Sequence, residues 1–407
     1  MSASFDALWA ELQPIGRDPR TGGYHRPAWG RVDAELREWF VGACSARGLD
    51  VTTDRAGNLW AWWDDPDAAV SAGRPGLVLG SHLDSVPDGG AFDGPLGIVS
   101  ALAALDTVRE QGWRPCRPLG IAVLADEEGA RFGTGCVGSQ LLTGNLDPAR
   151  MLAATDDDGT TLAEAMAAAG HDPRRVGPDP TALARVGTFL ELHVEQGRRL
   201  VHTGAAVGVG SGLWARGRWR LHLPGRADHA GTTRRDDRDD PVLRLATTVL
   251  AARTAAERTG AVATVGKIVV EPNGANAIPS AVTAWLDARA GRLDDLHEVV
   301  ADVAASAGVA PEQEALSPVT VFSQGLRETL VGVVGEGVPA PVLATAAGHD
   351  AGTFAAAGIA SGMLFVRNPT GISHSPAEYA DVHDCHAGVA ALGRAVRALD
   401  GWEVGTE

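Results

Sequence analysis

At 407 residues the chain exceeds what one ordinary hydrophobic core accommodates, so two domains are expected. It is 45% hydrophobic and 21% charged, ordinary for a globular protein, with a formal net charge of -16. That acidity argues against nucleic acid or an anionic membrane surface as a partner, and no apolar stretch approaches the roughly 20 residues that span a bilayer. Met1 to Trp9 lacks the basic head and apolar run of a secretory signal. Cys44, Cys116, Cys136 and Cys385 lie far apart with no paired spacing. Both features favour a reduced, cytoplasmic setting over a disulfide framework or a structural zinc knot.

The spacing of apolar residues from Val32 to Arg47 predicts a helix that stops at Gly48. Leu77, Val78 and Leu79 predict a short buried strand running into Ser81 and His82, and Pro95 to Val108 reads as a helix. Leu119 to Leu124 predicts a second strand leading into Asp126, Glu127 and Glu128; Phe189 to Val194 predicts a third, which carries His193. Such alternation predicts an α/β sheet with helices on both faces. Ligands of these sheets collect beyond the carboxyl ends of the strands. The run Asp156 to Gly159 and the stretch from His171 to Pro180 read as loops.

Near residue 208 the pattern changes. Trp214 to Leu223 alternates with period two, a helix is predicted from Pro241 to Arg258, and strands over Ala263 to Val270 and Val282 to Arg289. A helix from Leu293 to Ala305 follows; after about residue 319 the earlier style resumes, with a strand at Met363 to Val366. The expected architecture is α/β in two domains. A sheet domain formed by 1–208 and 319–407 is interrupted by a smaller α+β domain over 209–318.

The strongest chemical signal runs from Gly80 to Gly97. His82 sits at a strand end with Asp84 two positions on, placed to receive the second ring N–H of a metal-binding imidazole. Asp93 stands between Gly90 and Gly94, where tight turns are allowed and a carboxylate can bridge two ions. Asp126, Glu127 and Glu128 repel one another. A helix N-terminus offsets only about 0.3–1 kcal/mol per group, whereas a divalent ion is a far larger local charge. Neighbouring glutamates suggest one ligand and one general base. His193 is followed by Glu195, Gln196 and Gly197, and His374 lies in the segment Gly371 to Glu378. On spacing alone His383 and His386 compete with His374.

Together these motifs resemble the amidase/carbamoylase branch of the zinc-dependent M20 metallopeptidase clan. That branch holds allantoate amidohydrolases, N-carbamoyl-L-amino-acid hydrolases, β-ureidopropionases and ureidoglycolate amidohydrolases. The resemblance begins at Gly22, Gly23, Asp54, Gly57 and Asn58 and ends beyond Ser373, His374 and Pro376. The short loop from His82 to Asp93 is characteristic of the ureido-cleaving branch; the peptidase branch usually has a much longer segment there.

The resemblance implies a di-metal catalytic domain and an inserted lid and dimerisation domain. Asp93 would bridge two divalent ions, His82 and His193 completing one set of protein ligands, Glu128 and His374 the other. Zinc is implied first, although mixed His/carboxylate sites also accept manganese, cobalt or nickel. Glu127 would be the general base, with Asp84 supporting the site. His229, in the segment Pro224 to Thr233, would stabilise the oxyanion, often from the partner subunit of a homodimer. Asn276 and Arg289 match positions that hold a substrate carboxylate, a task suited to the planar guanidinium; Gln196 and His349 are further substrate-side residues. The implied reaction is hydrolysis, by a metal-held hydroxide, of the ureido (N-carbamoyl) group of a small carboxylate-bearing substrate such as allantoate or an N-carbamoyl-L-amino acid. The competing readings are a peptidase or deacylase of the clan acting on an ordinary amide, and a non-catalytic binding protein on the same scaffold. Arg234 and Arg235 stand where the family usually has Pro-Met, although Arg238 and Asp240 match, and this leaves the substrate open.

Overall fold

A computed structural model describes residues 3–335 and 337–402. Six strands precede the change of pattern: β1 (Asp50–Thr53), β2 (Leu59–Trp63), β3 (Gly76–His82), β4 (Leu119–Leu124), β5 (Val186–Val194) and β6 (Val207–Leu213). Six more follow: β7 (Ala215–Pro224), β8 (Asp228–His229), β9 (Val262–Glu271), β10 (Ala277–Ile278), β11 (Ala281–Ala290) and β12 (Glu312–Ser317). The last three are β13 (Thr320–Val321), β14 (Val342–Thr345) and β15 (Ala360–Val366).

The chain divides into two compact units. One takes the chain up to Gly212 and again from Val321, and the other spans Leu213 to Thr320. The first unit is built on a nine-stranded sheet in the order β1-β2-β4-β3-β5-β15-β6-β13, with β14 beside β6. At its centre β3 runs parallel to β4 and β5, and β5 parallel to β15. Every residue of β3 and β4 is buried, which explains why both read as unbroken apolar runs rather than alternating ones. Leu77, Leu79, Ile121, Leu190 and Leu364 join a core with the helices Pro95–Glu110, Gln324–Val334 and Val382–Leu399. Successive strand residues face opposite ways, and Phe189 stacks on Phe354 of the helix Asp350–Ala356 with ring centroids 4.3 Å apart. Because the central strands are parallel, their carboxyl ends lie together: His82 pairs with Leu124, and His193 with Phe365.

In the second unit an antiparallel sheet, β12-β7-β11-β9, packs against the helices Pro241–Thr259 and Leu293–Ala307, with β8 and β10 as a separate ribbon. Along β7, Ala215, Gly217, Trp219, Leu221 and Leu223 are buried while the residues between them are not, the alternation of a sheet covered on one face. Among the described residues no helix is long and apolar enough to cross a membrane.

Candidate metal centre

His82 closes β3 and His193 lies one residue before the end of β5, both buried. The His82 Nδ1 is 3.1 Å from the main-chain oxygen of Asp84, and the His193 Nδ1 is 2.9 Å from that of Val194. A ring that gives its Nδ1–H to a carbonyl presents Nε2 as a lone pair. Both Nε2 atoms face Asp93 Oδ1, at 3.6 and 3.2 Å, and among the described residues neither has a group aligned for a hydrogen bond. The other Asp93 oxygen, Oδ2, is 3.5 Å from His374 Nε2, which is itself 3.5 Å from Glu128 Oε2. Asp93 thus presents one oxygen to each of two donor groups, His82 with His193 and Glu128 with His374.

The Asp93 loop is held from a distance in sequence. Glu378 Oε1 accepts the main-chain N–H groups of Phe92 and Asp93 at 2.9 and 3.0 Å. Gln196 Nε2 donates to Asp93 Oδ2 at 2.8 Å, and Ser373 Oγ lies 3.1 Å from the same oxygen. A Cβ at Gly90 would collide with Glu378, and one at Gly94, where φ is +85°, with the His82 ring.

The acidic turn after β4 is fixed by Asp84. Its Oδ1 accepts the Glu127 N–H at 3.2 Å and its Oδ2 the Glu128 N–H at 3.1 Å. The carboxylate is 3.5 Å from His82 Nδ1, so the main-chain oxygen of Asp84, rather than the expected side chain, is the nearer partner of the imidazole. Glu127 Oε2 is 3.8 Å from His82 Nε2.

Burial raises the Glu127 carboxyl above its ordinary range. Burial, reinforced by Asp93, pushes Glu128 up to about 10. For His193 burial opposes the charge, but Asp93 outweighs it and lifts the ring to about 9. Asp93 is held low by the two imidazoles against its own burial. Without a cation these shifts keep protons within the cluster, and a cation held there would take their place. Two unpartnered imidazole nitrogens converging on carboxylate oxygens form a mixed N/O donor set that fits a divalent cation.

Gln196, expected on the substrate side, is turned onto Asp93. His349 is buried with its ring edge-on to His193, centroids 4.5 Å apart, and shares a possible donor group with His193 and Glu191. Glu191, which carried no signal in the sequence, accepts the Ala351 N–H at 3.0 Å. His386 is engaged by Asp6 at 2.7 Å, and among the described residues neither it nor His383 belongs to a donor group.

His229, Asn276 and Arg289 belong to the second unit. His229 is exposed, and its Nδ1 accepts the N–H groups of Gly231 and Thr232 at 3.0 and 3.2 Å. The Asn276 carbonyl accepts the Ala230 N–H at 3.0 Å, and β8 pairs with β10, so His229 and Asn276 are neighbours. Arg289, half-buried on β11, bonds Asp287 at 3.0 Å. Arg234 and Arg235 are exposed.

A parallel-centred sheet that gathers imidazoles and carboxylates at its carboxyl edge makes this an α/β protein with a candidate metal centre. The chain belongs to peptidase family M20/M25/M40, whose model matches residues 78–398. It is 35% identical to the N-carbamoyl-L-amino acid amidohydrolase of Geobacillus stearothermophilus, over 95% of this chain and 96% of that protein. It is 30% identical to the allantoate amidohydrolase of Escherichia coli strain K12, over 94% of each. A hydantoinase/carbamoylase family amidase from Burkholderia ambifaria superimposes with a TM-score of 0.81 at 31% identity, covering 99% of this chain and 98% of that one. The protein is an amidohydrolase of this family, a hydrolase of carbon–nitrogen bonds in small molecules.

Proposed function

We propose that the protein removes the carbamoyl group from a small ureido acid, an N-carbamoyl-L-amino acid or allantoate, using two divalent ions. The observation that carries the two-ion part of this reading is the division of Asp93, one oxygen toward His82 and His193, the other toward Glu128 and His374; the ureido substrate rests on the similarity to the N-carbamoyl-L-amino acid amidohydrolase and the allantoate amidohydrolase. When bound, such ions make water acidic enough to lose a proton near neutral pH and polarise a carbonyl.

Glu127, buried beside the cluster, accepts the proton of the attacking water and delivers it to the leaving nitrogen. Asp84 holds the turn that presents Glu127 and Glu128. Gln196 exchanges its bond to Asp93 for one to substrate. The His229 Nδ1 accepts main-chain N–H groups, which leaves the proton on Nε2, where it is donated to the developing oxyanion. Arg289 and Asn276 bind the substrate carboxylate, with the second unit acting as lid and as the dimerisation domain of a homodimer. Collapse of the tetrahedral species releases the amine and a carbamate, which decays to carbon dioxide and ammonia. Four cysteines without disulfides suit the cytosol.

A panel of N-carbamoyl amino acids, allantoate, N-acetyl amino acids and dipeptides, assayed after reconstitution with zinc, manganese, cobalt or nickel, tests the proposal. Turnover confined to the last two substrate classes would replace it with the peptidase or deacylase reading.

A further inference from the structure

We propose that Cys136 is a positioning residue for Glu127, its thiol donating to Oε1 so that Oε2 stays turned toward the His82–Asp93 cluster. The inference rests on Glu127 as the general base. Cys136 is buried, and its Sγ lies 3.2 Å from Glu127 Oε1. Glu127 Oε2 is the oxygen that faces His82 Nε2. The terminal torsion of a glutamate is broad and has little preference of its own. A donor on one oxygen therefore decides which way the other points.

The backbone is arranged to bring this thiol to that oxygen. Cys136 has φ +53°, in the left-handed region that residues with a Cβ seldom adopt. Its N–H donates to the Glu127 carbonyl at 2.6 Å, and the next two N–H groups donate to Asp126 and Ala125 at 3.0 and 2.8 Å. Glu127 and Cys136 are thus tied twice, through the main chain and through the side chains. Gly135 immediately precedes Cys136 and Gly138 follows two positions on. A mere turn could have used glycine at the left-handed position without strain. Instead it falls on the residue whose side chain reaches the base.

The test compares Cys136→Ala and Cys136→Ser in the metal-loaded enzyme, with metal content and melting temperature as controls for folding. Misplacing a general base costs a large part of its contribution, so Cys136→Ala is expected to lower kcat on the order of tenfold. KM should be little changed, and Cys136→Ser should recover most of the loss. A Cys136→Ala enzyme at full kcat, or a serine variant as impaired as the alanine one, overturns the proposal. The S–H stretching band gives a readout independent of turnover. The wild-type minus Cys136→Ala infrared difference isolates the band of this thiol from those of the other three cysteines. It is expected below the frequency of a free thiol and to rise in Glu127→Gln; a band indifferent to residue 127 also overturns the proposal. Full turnover in Glu127→Gln would remove the general-base reading and this one with it. An inactive Glu127→Gln beside an unimpaired Cys136→Ala would remove only the role of the thiol.

Discussion

Gly94 lies beneath the imidazole of His82 at φ +85°, ahead of the helix Pro95–Glu110. A methyl group there meets the ring, and the backbone itself is disfavoured for any residue but glycine, at about 1–3 kcal/mol. Gly94→Ala is expected to lower stability by at least that amount in urea denaturation and to reduce bound metal in elemental analysis. On the proposed mechanism Glu127→Gln removes a proton acceptor without removing a ligand. It should lower kcat by roughly 10²–10⁴ while metal content stays at the wild-type level. The loop from His82 to Asp93 stood out in the sequence because the candidate ligands, the glycines and Asp84 all lie within a few residues. Glu378 and Ser373, which hold Asp93, are remote in the chain, and local spacing carries no such information. Cys136 gave no signal because its function depends on a fold-back that only the three-dimensional turn creates.

The hairpin of β1 and β2 was not foreseen, since each strand is short and β1 is mostly exposed. It is held by Asp54, whose Oδ1 accepts the N–H groups of Ala56 and Asn58 and whose Oδ2 accepts Asn58 Nδ2 and Trp60 Nε1. Asn58 Oδ1 then accepts the Ala125 N–H at 2.9 Å, and its Nδ2 reaches the Gly138 carbonyl at 3.1 Å. The motif around Asp54 therefore braces the turn that carries Glu127. Burial, working against those donors, pushes the Asp54 carboxyl up from 3.8 to about 6. A folded value above the unfolded one means stability fully present below about pH 4 and lost as pH rises through about 6, on the order of 3 kcal/mol. Asp54→Asn removes that titration. Its deficit against wild type in urea denaturation should thus be larger at pH 4 than at pH 7. The helix Val382–Leu399 also went unread, although Cys385, Val389, Leu392, Val396 and Leu399 recur at helical spacing along its buried face.

At the level of the whole molecule the insertion was legible from the change in periodicity, from unbroken buried strands to the alternation of β7. The exposed apolar surface was not, because surface patches assemble from separate elements. On the helix Pro241–Thr259, Leu243 and Leu250 are exposed, and on β9, at an edge of its sheet, so are Val262, Ile268 and Val269. Apolar edges of this kind are usually covered. Leu243→Glu combined with Leu250→Glu should yield a monomer in light scattering if the proposed homodimer forms through this face. Metal loading should stabilise the fold by about 2.7 kcal/mol at a hundredfold excess over Kd. It should also release protons, because cations replace those on His193 and Glu128; titration calorimetry in buffers of different ionisation enthalpy counts them. The two donor groups differ in access to solvent. The His82 and His193 side chains are 0% and 1% exposed, against 51% for His374. If each group holds an ion as proposed, exchange with the medium should be sequential: brief chelation should strip the His374 position first, and refilling with a second element should give a heterobimetallic enzyme whose inner ion records the metal present when the chain folded.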